Sequence, residues 1–519
     1  MILKLRKLTH GQSCILFLVV LVVITYRPIV ENGFTLDDRA IVLDNKLFIE
    51  GRWRDIISTG YWEGAMGTSE SKLAGLYRPA TTAFLAAQFF IFGKNPVGYH
   101  VVSLTLHLSV VVLLFLTGCR FMSKEAAWIS ASLFAIHPAN SEAVNAIVGQ
   151  ADLIVTVTGL GALLVFDKTR ELLLTKESEN KWRYVFAASV LLFIAQMAKE
   201  NGAIVSLALV FSCVSAHKLW KVCAVAISGT AIALLIRSIL FGSFTIPGIG
   251  FIDNPLAYMD TVVRILNAPA ILIRYVLKML YPWPLAADYS YDAIPTIHAV
   301  AILDFIFPMA FVLSSVVLLI TIKHKVCSVY KSLSWQYLTC FNLVLASHVF
   351  VALGTIFAER LLYLPTCGLC LLLGWCANRF RSANTWAHTR ILVLTGLVFA
   401  YSNLSTTRSR AWIDDRTLFS DGTSVMPRSA RNHFGLGLAL QREGDMIGAL
   451  QSYNKALTIY PRYVEAHYNQ GAAFVELSRY EEALHAYRAA EKYRPNYRNV
   501  QRTLELLTQH LSLSTETNK

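Results

Sequence analysis

The chain has 519 residues, 55% of them hydrophobic and only 16% charged, against roughly 25% charged in an ordinary soluble protein. This excludes a soluble enzyme. Uncharged runs at 8–26, 95–119, 305–322, 332–358 and 361–378 are each near or above the roughly 18–20 residues that cross a hydrocarbon core, so the chain reads as a polytopic membrane protein. The formal net charge of +13 is spread over short segments between these runs, which reports orientation in a membrane rather than a nucleic-acid partner.

The run at 8–26 ends in Thr25-Tyr26-Arg27-Pro28 without a small-residue cleavage site and reads as a retained first span. Lys4, Arg6 and Lys7 precede it, which places the N-terminus in the cytosol and a first luminal loop at 29–96. The basic clusters Arg120/Lys124, Lys168/Arg170/Lys176/Lys181/Arg183, Lys218/Lys221, Lys323/Lys325/Lys331 and Arg379/Arg381/Arg390 then fall to the cytosol. Spans near 98–118, 125–139, 143–166, 184–198, 203–216, 222–241, 298–322, 334–357, 361–378 and 390–403 satisfy that pattern. With the first they make eleven, so the C-terminus is expected in the lumen, with a second luminal loop at 242–297.

Two apolar segments are not counted as spans. Within 260–280, Asp260, Arg264, Asn267, Arg274 and Lys278 project into one arc of about 80° at helical spacing, the pattern of a helix lying in the membrane surface. Residues 80–92 follow Arg78-Pro79, directly precede the second span and read as an interfacial or re-entrant helix. The nine cysteines all lie in or beside apolar runs, so no disulfide framework is implied. Cys367 and Cys370 have redox or zinc spacing but no second ligand pair, and read as packing residues.

After residue 403 the pattern turns polar, and prolines recur at 427, 461 and 495. Gly437, Ala449, Tyr453, Ala456 and Pro461 recur 34 residues later as Gly471, Ala483, Tyr487, Ala490 and Pro495. This is the tetratricopeptide (TPR) period: small residues let paired helices approach, aromatics fill between units and proline ends the second helix. The chain therefore divides into a membrane domain at 1–403 and a TPR region at 404–519, with repeats at 430–463 and 464–497 and a closing helix at 498–511. Roughly three units are needed for a free-standing stack, so this array is expected to lean on the membrane domain and to offer its surface to extended peptide.

Candidate chemistry gathers on the side expected to be luminal. Asp37-Asp38, beside the membrane, is a candidate general base. His137 and Glu142, Lys199-Glu200 and Glu359-Arg360 stand at luminal span ends, where a fixed cation can hold a lipid phosphate. Asp152, inside the fourth span, needs a buried partner, and Arg237 is one candidate. No His-x-x-x-His spacing, no Cys/His cluster and no glycine-rich phosphate loop after a strand is present, which leaves zinc and ATP-driven chemistry without support.

The segments FTLDDRAIVLDN, YRPATT, GYHVVSLTLH, LFAIHPANSEAVNAIVGQADL, AKENG, PWPLAADYSYDAIP and ERLLYLP, together with the repeats, resemble the transmembrane and TPR-containing protein O-mannosyltransferases of the endoplasmic reticulum, which have the GT-C fold. The resemblance implies an all-α, multi-pass enzyme of the endoplasmic reticulum membrane with its TPR region in the lumen. It would move mannose from dolichyl phosphate mannose to Ser or Thr hydroxyls of secretory-pathway or membrane proteins, cadherin-type domains among them. The donor is the lipid-linked sugar; no other cofactor is implied, and a divalent-metal requirement is left open.

By the same resemblance Asp37 or Asp38 is the catalytic base, with Asp37 favoured because the first acid of such a pair serves in related enzymes. Arg360, with Lys199 as the second candidate, would stabilise the leaving phosphate, and Tyr289 and Tyr291 would line the sugar or acceptor site. Two features depart from the family pattern: the repeat array is short, and Gln150 stands where Arg is expected. The residues are also compatible with a non-catalytic scaffold displaying the repeats, with transfer of another polyprenyl-linked sugar, and more weakly with a transporter.

Overall fold

The computed structural model describes residues 2–66, 76–174, 181–214, 220–241, 249–295, 333–379 and 387–517, and every regular element among them is helical. The membrane part contains α1 (Ile2–Thr25), α2 (Pro79–Phe92), α3 (Pro96–Gly118), α4 (Lys124–Ala135), α5 (Ser141–Asn145), α6 (Gln150–Leu174), α7 (Lys181–Ala198), α8 (Gly202–Val214), α9 (Trp220–Phe241), α10 (Thr261–Leu280), α11 (Leu333–Ala346), α12 (Tyr363–Arg379) and α13 (Ala387–Arg410). Among the described residues, four helices are long and apolar enough to cross a membrane: Pro96–Gly118, Ile147–Thr169, Lys221–Phe241 and Glu359–Ala377. Gln12–Thr25, Pro79–Phe92 and Trp182–Ala198 are shorter apolar helices. The described residues are those of an all-helical membrane protein; the expected span at 298–322 lies outside them.

The helices close around one apolar cluster that includes Leu18, Val110, Phe134, Leu153, Leu192 and Tyr363. A buried histidine fixes their register: the Tyr363 hydroxyl donates to His107 Nδ1 at 2.7 Å, and His107 Nε2 lies 3.1 Å from the Ala135 carbonyl. Cys367 and Cys370 are buried in the same cluster and serve as packing residues.

Four limits expected from sequence are moved. The expected span 125–139 is helical only through Ala135, and the next helix proper begins at Gln150 rather than 143. Between them the chain folds as a tight turn at Pro138–Asn140, α5, and a second turn at Ile147–Gly149. Pro138 cannot continue a hydrogen-bonded helix, and local side chains take over the freed backbone: Asn140 Nδ2 donates to the Phe134 carbonyl at 2.9 Å, and Asn145 Nδ2 to that of Ser141 at 2.8 Å. The expected span 334–357 is helical only to Ala346, because His348 takes a left-handed conformation (φ 67°) and its ring binds the Leu353 amide and the Ile356 carbonyl. The expected domain boundary at 403 falls inside α13, which continues to Arg410.

On α10 the arc of polar residues faces away from an exposed apolar stripe of Val262, Ile265, Leu277 and Leu280. A helix lying in a membrane surface requires such a stripe.

The C-terminal part comprises α14 (Asp415–Val425), α15 (Ala430–Arg442), α16 (Met446–Ile459), α17 (Val464–Glu476), α18 (Tyr480–Tyr493) and α19 (Val500–Thr517). Gly437 is required by close packing, since a Cβ there would lie 2.5 Å from the Tyr453 ring. The short array does lean on the preceding domain. The Ala430 amide donates to the Tyr291 carbonyl at 3.0 Å, Ser429 Oγ bonds Asp288 at 3.0 Å, Arg428 Nε binds Asp292 at 2.9 Å, and Arg431 pairs with Asp253.

The turn between α13 and α14 wedges fully buried Trp412 against Ala146 and Leu418, with Leu36 and Val148 alongside. Trp412→Ala should cost about 3–5 kcal/mol and lower the thermal midpoint of the detergent-solubilised chain; an unchanged midpoint would show that this corner bears no packing load.

Candidate active site

The two acids of the first loop have different surroundings. Asp38 is fully buried and accepts from three backbone amides, Ile147 at 3.1 Å, Val148 at 2.8 Å and Thr35 at 3.4 Å. It ties the first loop to the turn that precedes α6. Burial pushes its carboxyl from the usual 3.8 up to about 7, against the pull of those amides towards the charged form. Asp37 is only half-buried. The residue before it, Leu36, sits in the left-handed region (φ 51°), a conformation that a branched side chain adopts only when its surroundings impose it.

Cations gather next to this turn, each on a carboxylate. Arg360 Nη1 binds Glu142 Oε1 at 2.8 Å, and its backbone amide binds the other carboxylate oxygen at 2.8 Å. Lys199 Nζ binds Asp152 Oδ2 at 2.6 Å, with both side chains buried. Arg78 clamps Glu200 through Nε at 3.1 Å and Nη2 at 2.8 Å, while Arg237 Nη1 reaches the same carboxylate at 3.4 Å. Burial pushes the Glu200 carboxyl up, but the guanidinium of Arg78, helped by Arg237, holds it at about 2. Burial lowers the Lys199 ammonium from its usual value against the pull of Asp152, and the charges of Arg78 and Arg360 lower it further.

Tyr61 stands in the middle of this arrangement. Its ring lies 5.1 Å from the Arg78 guanidinium, and its buried hydroxyl has no hydrogen-bond partner among the described residues. The charges of Arg78, Asp37, Asp38 and Arg360 all act on it. An acid, an orphan hydroxyl and a set of buried cations at one end of an apolar bundle can hold an anionic group and accept a proton beside it.

The structure brings together Asp37, Asp38, Glu142, Lys199, Glu200 and Arg360 of the residues expected from sequence. Asp152 has Lys199, not Arg237, as its direct partner, because Arg237 pairs with Glu200. Lys199 is therefore committed to Asp152 rather than free for a phosphate.

His137 is removed from the chemistry: Nδ1 accepts from the Ala139 amide at 3.3 Å, capping the tight turn, and Nε2 lies 3.0 Å from the Met279 carbonyl. Tyr289 and Glu359 bind one another, and Glu359 also takes the Ala286 amide at 2.8 Å, so the pair anchors a loop rather than lining a sugar site. Tyr291 packs on Phe251 and Tyr460 and belongs to the contact with the repeats.

Gln150 is fully buried in an amide pair with Gln88, at 2.7 and 3.1 Å, and also donates to Ser103 Oγ and the Tyr99 carbonyl. The missing arginine is thus replaced by a neutral, bonded network. Sequence reasoning missed the roles of Arg78 and Tyr61; the conspicuous Tyr77-Arg78-Pro79 run was the signal available for Arg78.

These observations define a class: a membrane-embedded helical domain with an acid-and-cation site at one end, strapped to a short TPR array. Comparison with known sequences is more specific. The profile described as protein O-mannosyl-transferase TMTC, DUF1736, matches residues 243–316, which contain α10 and the loop that meets the repeats. Tetratricopeptide-repeat profiles match 430–463 and 464–497, the repeat bounds read from the proline spacing. Protein O-mannosyl-transferase F38B6.6 of Caenorhabditis elegans is 26% identical over 463 residues, covering 88% of this chain and 64% of its own length. TMTC3 of Mus musculus is 26% identical, covering 89% and 53%, and TMTC4 of Mus musculus is 25% identical, covering 82% and 63%. The chain is thus similar to the TMTC protein O-mannosyl-transferases, and spans from about half to just under two thirds of the length of these relatives.

Lys199→Ala should strand the buried Asp152 carboxylate and cost about 3–5 kcal/mol, whereas replacing both by apolar residues should be better tolerated than the single change; a double-mutant cycle on thermal midpoints checks this, and simple additivity would contradict it. Asp38 binds its proton more tightly when folded than the usual 3.8. Its contribution to stability therefore declines as pH rises from 3.8 to about 7 and is flat above. Asp38→Asn should flatten the pH dependence of the midpoint in that window, and a curve parallel to that of the unaltered chain would refute the assignment.

Proposed function

We propose that this protein transfers mannose from dolichyl phosphate mannose to Ser or Thr hydroxyls of secretory-pathway proteins, in the lumen of the endoplasmic reticulum, with Asp37 as the general base. The observation that carries the reading is the division between two adjacent acids: Asp38 is consumed by backbone amides, and half-buried Asp37 is left within electrostatic reach of Arg360 and Tyr61.

The proposed step is a single displacement. The Asp37 carboxylate takes the acceptor hydroxyl proton as that oxygen attacks the anomeric carbon. The bond from that carbon to the phosphate oxygen breaks, and dolichyl phosphate leaves with the bonding electron pair. Arg360, oriented by Glu142, and Arg78, oriented by Glu200, stabilise the charge that develops on the phosphate. Lys199 supports the same field from its pair with Asp152. In this reading the lipid-linked donor and the protein acceptor meet on the luminal side of the membrane, with the N-terminus cytosolic and the repeats luminal. The repeats present a surface for extended acceptor peptide, cadherin-type domains being the class suggested by family resemblance.

The test is intact glycopeptide mass spectrometry on secreted and membrane proteins from cells carrying only this family member. Asp37→Asn should reduce single hexoses on Ser and Thr by about 100-fold or more at unchanged expression. An unchanged hexose profile would sink the enzyme reading in favour of a scaffold, and a transferred sugar other than mannose would replace the donor. Arg360→Ala should weaken binding of the donor to the purified chain; unchanged donor binding would remove Arg360 from the phosphate site.

A further inference from the structure

The turn that presents Asp37 is held by the end of α13 and the start of the C-terminal part. Residues 32–36 run alongside the α13–α14 connection and are joined to it at three points. Asn32 Nδ2 donates to the Ser409 carbonyl at 3.2 Å, the Gly33 amide to the Ile413 carbonyl at 2.8 Å, and the Leu36 amide to Asp415 Oδ1 at 2.9 Å. The last contact falls on the left-handed residue immediately before the proposed base. Asp415 uses its other oxygen, Oδ2, to bind Arg442 Nη1 at 2.8 Å, and Arg442 is in the last turn of α15, the first helix of the first repeat. Asp414 caps α14 by accepting from the Thr417 amide at 2.7 Å, which fixes the backbone from which Asp415 projects.

A left-handed leucine costs of order 1 kcal/mol or more and persists only where the surroundings over-determine it. Here Asp415 supplies the acceptor for its amide, and buried Trp412 packs beside its side chain. We infer that Asp415 is a positioning residue that sets the direction of Asp37, and that Arg442 of the first repeat steadies Asp415, so that the repeat array is coupled to the catalytic turn. The inference rests on the proposed role of Asp37.

Hydrogen exchange on the full-length chain in nanodiscs, resolved to the peptide spanning 33–38, reads the hold directly. Steady-state mannosyl transfer reads its consequence. Asp415→Ala should expose the Leu36 amide to exchange and lower kcat by about 10- to 100-fold, the scale of a small misplacement of a reacting group, with donor KM unchanged. Asp415→Asn keeps an oxygen for the Leu36 amide and should retain both protection and most of kcat. Arg442→Ala leaves the Asp415–Leu36 bond but frees the second Asp415 oxygen, so it should raise exchange of the Leu36 amide and lower kcat by about 3-fold, between the unaltered chain and Asp415→Ala; exchange and kcat equal to the unaltered chain would remove the repeat array from the coupling.

Unchanged exchange in Asp415→Ala, or exchange released with kcat intact, would overturn the inference. Equal losses in the Ala and Asn variants, with matching falls in thermal midpoint, would also overturn it by reducing Asp415 to a purely structural role. If the unaltered chain transfers no mannose while the exchange pattern is as stated, the transferase reading fails and the hold of Asp415 on the loop stands.

Discussion

The polar end of this bundle depends on one carboxylate. Asp38 reaches across from the first loop to the amides of Ile147 and Val148, at the turn where the chain has left α5 and not yet entered α6. Buried backbone donors without partners are costly, so the turn needs an acceptor and the loop supplies it. Around that join many polar groups, though not the Tyr61 hydroxyl, are paired with residues far away in sequence: Asn32, Asn145 and Ser409 share hydrogen bonds, Glu142 orients Arg360, and Gln88 pairs with Gln150. In a low-dielectric setting such contacts are strong when complete and expensive when broken, which makes this end of the molecule a rigid frame.

The frame separates the roles of neighbouring charges. Asp38, Asp152, Glu142 and Glu200 are held by backbone amides or cations, and each thereby fixes a loop or orients a positive group. Asp37 is the acid left half-buried among them. The TPR region is joined to the preceding part through Asp415 to the Leu36 amide, through the Asp288–Asp292 loop to the start of the first repeat, and through Asp253 to Arg431. An array this short gains from such support, because each repeat leaves an apolar face that a neighbour must cover.

Much of this was legible in the sequence because it is local or periodic. Proline and glycine spacing marked the repeats, the charge-free runs at 95–119 and 361–378 coincide with two of the long apolar helices, and the lone acid at 152 demanded a partner. The segment from His137 to Gly149 was misread as parts of two spans because its apolar composition is that of a helix, whereas Pro138 and a series of short-range amide bonds break it into turns. The partner of Asp152 and the holder of Leu36 were illegible for a different reason. They come from Lys199 and Asp415, the latter 379 residues away, and no periodicity in one chain encodes such a pairing. The aromatic residues of the 282–295 segment were placed at the sugar site by resemblance; in the structure Tyr289 binds Glu359 and Tyr291 meets the repeats.

The central claim is that an acid of the first loop and its ring of cations carry out a one-step displacement on a lipid-linked sugar. The most direct measurement is reconstitution of the purified chain in liposomes with dolichyl phosphate mannose and a Ser/Thr acceptor peptide, followed by NMR assignment of the anomeric configuration of the product. The account predicts mannose on the hydroxyl with its configuration inverted relative to the donor. Retention of configuration, which demands a covalent glycosyl intermediate, or no transfer by a folded and donor-binding chain, would contradict it.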